Sequence, residues 1–347
     1  MKSRFIKTAW AVFALGSGAE YYLGMIKFFS KKEYQKLADQ FSLGKIESIK
    51  YFRQGYQTPK AVVATAKGKF IIAKHNLSKT RTVVADMKIV LRIALLHEIN
   101  FLNTLRGLPV PHYLKSRRGK FLEDFGGYAV SAYRFLEGKQ PKALTPKMAN
   151  ELGRFLGKFH AQGVKYKKPM SGRRRFYDLN PKIMGLMYKY VRKQTHPKLR
   201  AVVEEVKRGV ENNRVSKSLP RGPIHVDIKP DNELFVGQKL TGIIDFGNMY
   251  IDPLIFDVGK TIMCNCLKNG KLDKELMKNF LQGYESQRRL NRVERRYLKQ
   301  SILSAIYTNL WVDLWHIPKK YVPLQHTLLL VNKFLPIARN LEKQTFQ

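Results

Sequence analysis

Residues 225–232 read His-Val-Asp-Ile-Lys-Pro-Asp-Asn, and thirteen positions after Asn232 stands Asp245, within Ile243-Ile244-Asp245-Phe246-Gly247. Between them lie two short apolar runs, Glu233–Val236 and Leu240–Ile244, around the turn Gly237-Gln238-Lys239. Such runs on either side of a glycine-containing turn predict a β-hairpin. A strand out and a strand back return the chain to where it left. Asn232 and Asp245 then end side by side, as two oxygen donors for a hard cation. Asp227, on the loop entering the hairpin, can face the same point. A carboxylate to accept a hydroxyl proton, beside oxygen ligands for Mg²⁺ on nucleotide phosphates, is the set that phosphoryl transfer needs. A lone Asp or Asn near a hairpin is usually turn chemistry. Three polar groups at the spacing H-x-D-x-x-x-x-N, followed by Asp-Phe-Gly, form a far more specific pattern. His225 is expected to hydrogen-bond the loop backbone and so to order Asp227.

Upstream the texture is that of a small antiparallel sheet. Ile49–Phe52, Ala61–Thr65 and Phe70–Lys74 read as strands, the last two joined at Lys67-Gly68, with two more around Phe121 and from Tyr128 to Phe135. Lys32–Phe41 reads as a short helix with Tyr34, Leu37 and Phe41 on one face. Val83–Leu105 reads as a long helix whose stripe carries Leu91, Leu95, Glu98, Leu102 and Leu105, stopped by Gly107 and Pro109. Alternation puts Phe70, Ile72 and Lys74 on one face of their strand. A carboxylate on the leucine stripe is costly to bury without a partner. Pairing Glu98 with Lys74 answers that cost and aims the ammonium at the α- and β-phosphates of ATP. Gly55, between the first two strands, is assigned to the phosphate-covering loop from its place alone.

After Pro141 the pattern is mostly helical. Met148, Leu152, Phe155, Leu156 and Phe159 define one helix ending at His160, two more run to Val215, and helices fill most of 253–345. A lone histidine on such a face is ordinarily a satisfied core residue, and His160 is read as structural. The expected architecture is α+β and bilobal: a five-stranded sheet lobe over residues 25–136, and a larger helical lobe over 137–347. A ligand would sit in the cleft between the lobes.

Composition bounds the alternatives. With 44% hydrophobic residues the chain can bury a core, which excludes a disordered protein. The 64 Lys and Arg against 26 Asp and Glu give +38. The cations are scattered, with Arg173–Arg175 and Arg295–Arg296 the densest runs. This composition predicts salt-sensitive, non-specific attraction to anionic partners, and no obligate protein partner is evident. The two cysteines, Cys264 and Cys266, are too close for a mutual disulfide and read as reduced core residues of a cytoplasmic protein. Residues 1–24 carry Lys2, Arg4 and Lys7, an apolar run Ala9–Leu15, then Gly-Ser-Gly-Ala. The run is too short for a membrane span. It is read as an amphipathic extension suited to a membrane surface or to the small lobe, or as residues upstream of a true start at Met25.

With these residues in view, the sequence resembles the superfamily of aminoglycoside phosphotransferases, choline kinases and type II homoserine kinases, which have a protein-kinase-like fold. The likeness to homoserine kinases lies in Phe29–Ile46, Phe135-Leu136-Glu137-Gly138, Gly157-Lys-Phe-His160 and Leu281-Gln-Gly-Tyr284…Arg289-Leu290…Glu294. It implies Asp227 as catalytic base, Asn232 and Asp245 as metal ligands, and Lys74 on ATP. It also implies backbone near Arg134, Phe135 and Leu136 as the adenine hinge, with Asp257 supporting the site from behind. Homoserine kinases tend to have Phe at Lys229, Tyr at Gly247, and arginines at Tyr307 and Val312. The loop with Asp-Phe-Gly also reads like that of a protein kinase, in which Lys229 would neutralise the transferring γ-phosphoryl. No Ala-Pro-Glu element follows, and Asp252-Pro253 come only five positions after Gly247. The resemblance implies a small-molecule hydroxyl acceptor, an amino acid or amino alcohol with homoserine foremost, and Mg²⁺ and ATP as cofactors. A protein Ser/Thr kinase, or a non-catalytic basic nucleic-acid or membrane-binding protein, are the alternatives.

Overall fold

The computed structural model describes residues 28–52, 59–75, 77, 91–170, 177–193, 196–268, 270–318 and 322–344. The expectations for residues 1–24, Gly55 and 83–90 lie outside these. The chain forms two compact units, one of residues 1–79, 113–135 and 320–326, the other of 80–112, 136–319 and 327–347.

The first unit is built on five antiparallel strands: β1 (Ile46–Phe52), β2 (Lys60–Thr65), β3 (Gly68–His75), β4 (Glu123–Phe125) and β5 (Tyr128–Arg134), in the order β1-β2-β3-β5-β4. Helix α1 (Lys31–Gln40) opens with a capping box, in which the Ser30 hydroxyl accepts from the Glu33 amide and Glu33 returns to the Ser30 amide. Its Tyr34, Leu37 and Ala38, spaced at three and four, join Phe29, Phe70, Ile72, Val63, Val130 and Ala132 in one core. The opposite face of the sheet packs Val62, Ile71, Ala73 and Tyr133 with Phe52, Tyr113 and Phe135.

The second unit is mainly helical. Helix α2 (Leu91–Leu102) packs its Phe101 edge-on against Phe159 and Tyr166. Those ring contacts lie within the second unit. Three helices follow with proline at their starts: α3 (Pro146–Gly163), α4 (Pro181–Val191) and α5 (Pro197–Asn212). Strand β6 (Arg221–Ile224) then leads to the hairpin β7 (Glu233–Val236) and β8 (Lys239–Ile243). β9 (Tyr250–Pro253) returns antiparallel to β6, with Ile224 opposite Tyr250. Helix α6 (Leu254–Asn265) is followed by the two-residue strands β10 (Leu267–Lys268) and β11 (Lys271–Leu272). The chain continues through α7 (Lys274–Glu285), α8 (Arg292–Arg296), α9 (Leu298–His316) and α10 (Leu324–Lys343). Among the described residues no helix is long and apolar enough to cross a membrane.

Candidate active site

The β6–β9 pair and the β7–β8 hairpin hold two loops together, 225–232 and 244–249. The Ile244 amide donates to the Asn232 carbonyl at 3.0 Å, so Asp245 stands beside Asn232 at the base of the hairpin. Asn232 ends a short turn from Pro230, and its Nδ2 donates to the Asp227 carbonyl at 2.8 Å and toward Oδ2 at 3.4 Å. Asn248 Nδ2 approaches the same Oδ2 at 3.4 Å, and Lys229 Nζ lies 3.3 Å from Oδ1. The charge of Asp227 holds the Lys229 ammonium above its ordinary pKa against the opposing effect of burial. Asp245 sits at φ +64°, a left-handed conformation that Asp tolerates better than most residues.

His225 ties the two loops. Its Nδ1 accepts from the Asp227 amide and its Nε2 donates to the Ile244 carbonyl, both at 3.2 Å, which fixes one neutral tautomer. Its ring lies 4.4 Å from that of Phe246. Between His225 and Asp227, Val226 is held at φ +61°, where a β-branched residue is strained. The clamp is Asp257 on α6: its Oδ2 accepts from the His225 amide at 2.7 Å and its Oδ1 from the Val226 amide at 2.8 Å. Burial alone would raise the Asp257 pKa, but His160, His225 and these hydrogen bonds hold it below its usual value.

His160, read as an ordinary core residue, is fully buried and donates from Nε2 to Asp257 at 3.2 Å. Burial lowers its pKa against the pull of Asp257. Its Nδ1 takes the Tyr284 hydroxyl at 2.9 Å, Arg288 donates to the same hydroxyl, and Glu294 receives Arg288 at 2.8 Å. The separation of these residues along the chain hid the relay. Asn248 escaped the sequence reading as well, though it follows Asp245 by only three positions.

Lys74 shares a face with Phe70 and Ile72, the face on which α1 packs. Its Nζ lies 3.9 Å from the Tyr128 ring centre and 4.3 Å from that of Phe29, and burial lowers its pKa. Phe135 packs on the opposite face. Arg134 ends β5, with its guanidinium 5.5 Å from the Phe70 ring, and the Phe135 amide donates to Lys69. Leu136 begins the second unit's next segment. Glu98 is buried on α2.

Asp227, Lys229, Asn232 and Asp245 thus come together on two adjoining loops of a bilobal α+β fold of the kinase-like class. The model of the phosphotransferase enzyme family matches residues 48–297, and the chain belongs to that family. It is a kinase. A homoserine kinase of Polaromonas naphthalenivorans is 26% identical over 80% of this chain and 85% of its own length. One from Rhizobium meliloti is 28% identical over 73% and 74%. Among solved structures, an amicoumacin kinase in complex with AMP-PNP and Ca²⁺ superposes with TM-score 0.65 at 16% identity, covering 90% of this chain and 94% of its own. A microcompartment-associated aminopropanol kinase gives TM-score 0.63 at 15% identity, over 89% and 96%.

Proposed function

We propose that this kinase moves the γ-phosphoryl group of Mg-ATP to the hydroxyl of a small amino acid or amino alcohol, with homoserine as the foremost acceptor. The observation that carries this is the Asp227 carboxylate, held by Asn232, Asn248 and Lys229 and backed by the Asp257 clamp. Asp227 accepts the acceptor's hydroxyl proton as the hydroxyl oxygen attacks phosphorus. Lys229 stabilises negative charge on the transferring group. The backbone at Arg134, Phe135 and Leu136 would take the adenine edge.

Asn232 and Asp245 would hold Mg²⁺. The described residues contain no group of three or more His, Cys, Asp or Glu able to hold a metal by themselves. That suits Mg²⁺, which takes one or two protein oxygens and completes its shell with phosphate and water. The buried Asn248 Oδ1, with no hydrogen-bond partner beside Asp227, adds a further oxygen to the same pocket. Bound there, the ion would orient the nucleotide phosphates and neutralise their charge.

A protein substrate is disfavoured by the short turn Phe246–Asn248, which runs directly into β9 and leaves no segment for a peptide-docking loop. The test is ADP release across a panel of hydroxyl acceptors with wild type and Asp227→Asn. The variant should lose turnover by about 10²–10⁴-fold, the scale of a general base, with Mg-ATP affinity kept within a few-fold. Wild-type turnover in Asp227→Asn with any accepted substrate would show that the base is misassigned.

A further inference from the structure

Three residues beyond Asp257, and so on the same side of α6, the helix carries Lys260. Its side chain is 1% exposed. Its Nζ meets Asn309 Oδ1 of α9 at 2.5 Å and lies 4.2 Å from the Tyr177 ring centre. Among the described residues no carboxylate pairs with it, so a buried ammonium rests on a neutral amide and a ring. That is an expensive arrangement, and a lysine kept there needs a reason. Lys260 follows by one helical turn the Asp257 carboxylate that grips the His225 and Val226 amides before Asp227, which sets it in the neighbourhood of the transfer site; burial lowers its pKa.

Asn309 has a second contact: its Nδ2 donates to Asp313 Oδ2 at 3.1 Å. Asp313 is 14% exposed, one turn further along α9, with His316 3.8 Å from its other oxygen. Asp227 and Lys229 satisfy one another, whereas Lys260 and Asp313 are held apart by one amide group. Two opposite charges kept an amide's width apart match the carboxylate and ammonium of an α-amino acid, which one carbon separates.

We infer that Lys260, Asn309 and Asp313 form the acceptor subsite, in which Lys260 takes the carboxylate and Asp313 the ammonium of a zwitterionic hydroxy-amino acid. The inference rests on the phosphotransferase reading above and narrows its acceptor from an amino acid or amino alcohol to the former. Each charged group then gains a counter-charge and the subsite stays neutral. The substrate hydroxyl is left for Asp227.

Three acceptors separate the contributions: L-homoserine, 3-amino-1-propanol without the carboxylate, and 4-hydroxybutanoate without the ammonium. Wild type should favour homoserine over each by about 100-fold or more in kcat/KM, because a truncated acceptor leaves a buried charge unmatched. Lys260→Met should shrink the homoserine to aminopropanol ratio by roughly 10–100-fold, and Asp313→Asn the homoserine to hydroxybutanoate ratio by a similar factor. Equal losses on all three acceptors would assign these residues to the scaffold and overturn the inference. So would a wild type that uses aminopropanol as well as homoserine. A wild type that turns over other alcohols but none of these three defeats the subsite alone, while ADP release with no acceptor at all defeats the transferase reading with it. Should Lys260→Met fail to fold, the near-isosteric Asp313→Asn carries the same test.

Discussion

Val226 shows how one strained residue can be held in place. Its left-handed φ costs on the order of 1–3 kcal/mol, and the two amides that this bend turns inward, its own and that of His225, both land on Asp257. The carboxylate is therefore less a ligand than a mould for the backbone that presents Asp227. The sequence showed Asp257 as a residue in the right motif, but not that it grips main chain, because a backbone amide leaves no mark in a residue pattern. Lys74 teaches the converse. Its strand and its face were legible from alternation, yet which face a helix would cover depends on α1, some forty positions earlier. Phe29 and Tyr128 flank its ammonium through cation–π contact. If Lys74 also reaches the α- and β-phosphates, as proposed, Lys74→Met should raise the KM for ATP by about tenfold or more. Kinetics of the purified variant decide the matter: a KM within about threefold of wild type, with the effect confined to the Tm, would limit Lys74 to the sheet.

At the scale of elements, the joint between α3 and α7 does most to keep the relay behind the site in register. A Cβ on Gly153 would fall 1.9 Å from the Phe280 carbonyl oxygen, and one on Gly283 would fall 2.1 Å from that of Asn150. The two helices touch backbone to backbone, and this closeness lets Tyr284 of α7 reach His160 of α3. Both segments figured in the family resemblance, as Gly157-Lys-Phe-His160 and Leu281-Gln-Gly-Tyr284, without any sign that they face each other. Helix periodicity reports which side is apolar, but it carries no information on the partner. β6 and β9 stayed unread for a different reason: four residues each, with Pro223 and Pro253 inside them, offer no alternation to detect. Gly283→Ala should overpack the joint and cost about 1–3 kcal/mol despite alanine's better helix propensity. Gly185→Ala, on α4 with nothing within 4 Å of the new methyl, should instead gain up to about 1 kcal/mol. Chemical denaturation of the two variants reads the sign directly, and a stable Gly283→Ala would mean that the helices can part without loss.

Over the whole molecule the charge is more lopsided outside than composition suggests. Among the described residues eight acids are buried, Glu98, Glu123, Asp178, Asp227, Glu233, Asp252, Asp257 and Glu294, against two cations, Lys74 and Lys260. Folding therefore removes more negative than positive charge from a chain that already carries +38, and the surface left is strongly cationic. Like charges on a compact body repel, which lowers stability at low ionic strength and draws in any polyanion. Salt acts on both effects through one cause, since the Debye length shrinks from about 30 Å at 0.01 M to about 8 Å at 0.15 M. The Tm should rise as NaCl is added from roughly 10 to 200 mM, beyond which screening between exposed charges is largely complete. Binding to random duplex DNA should fall by about 10³-fold or more between 50 and 200 mM as counterions compete, with no preference among sequences. Thermal melts and filter binding over the same salt series test the pair together. A Tm that falls with salt would mean that attractive pairs such as Arg339 with Glu205 outweigh the general repulsion. Sequence-selective binding that survives high salt would mean that the basic surface is a nucleic-acid site in its own right.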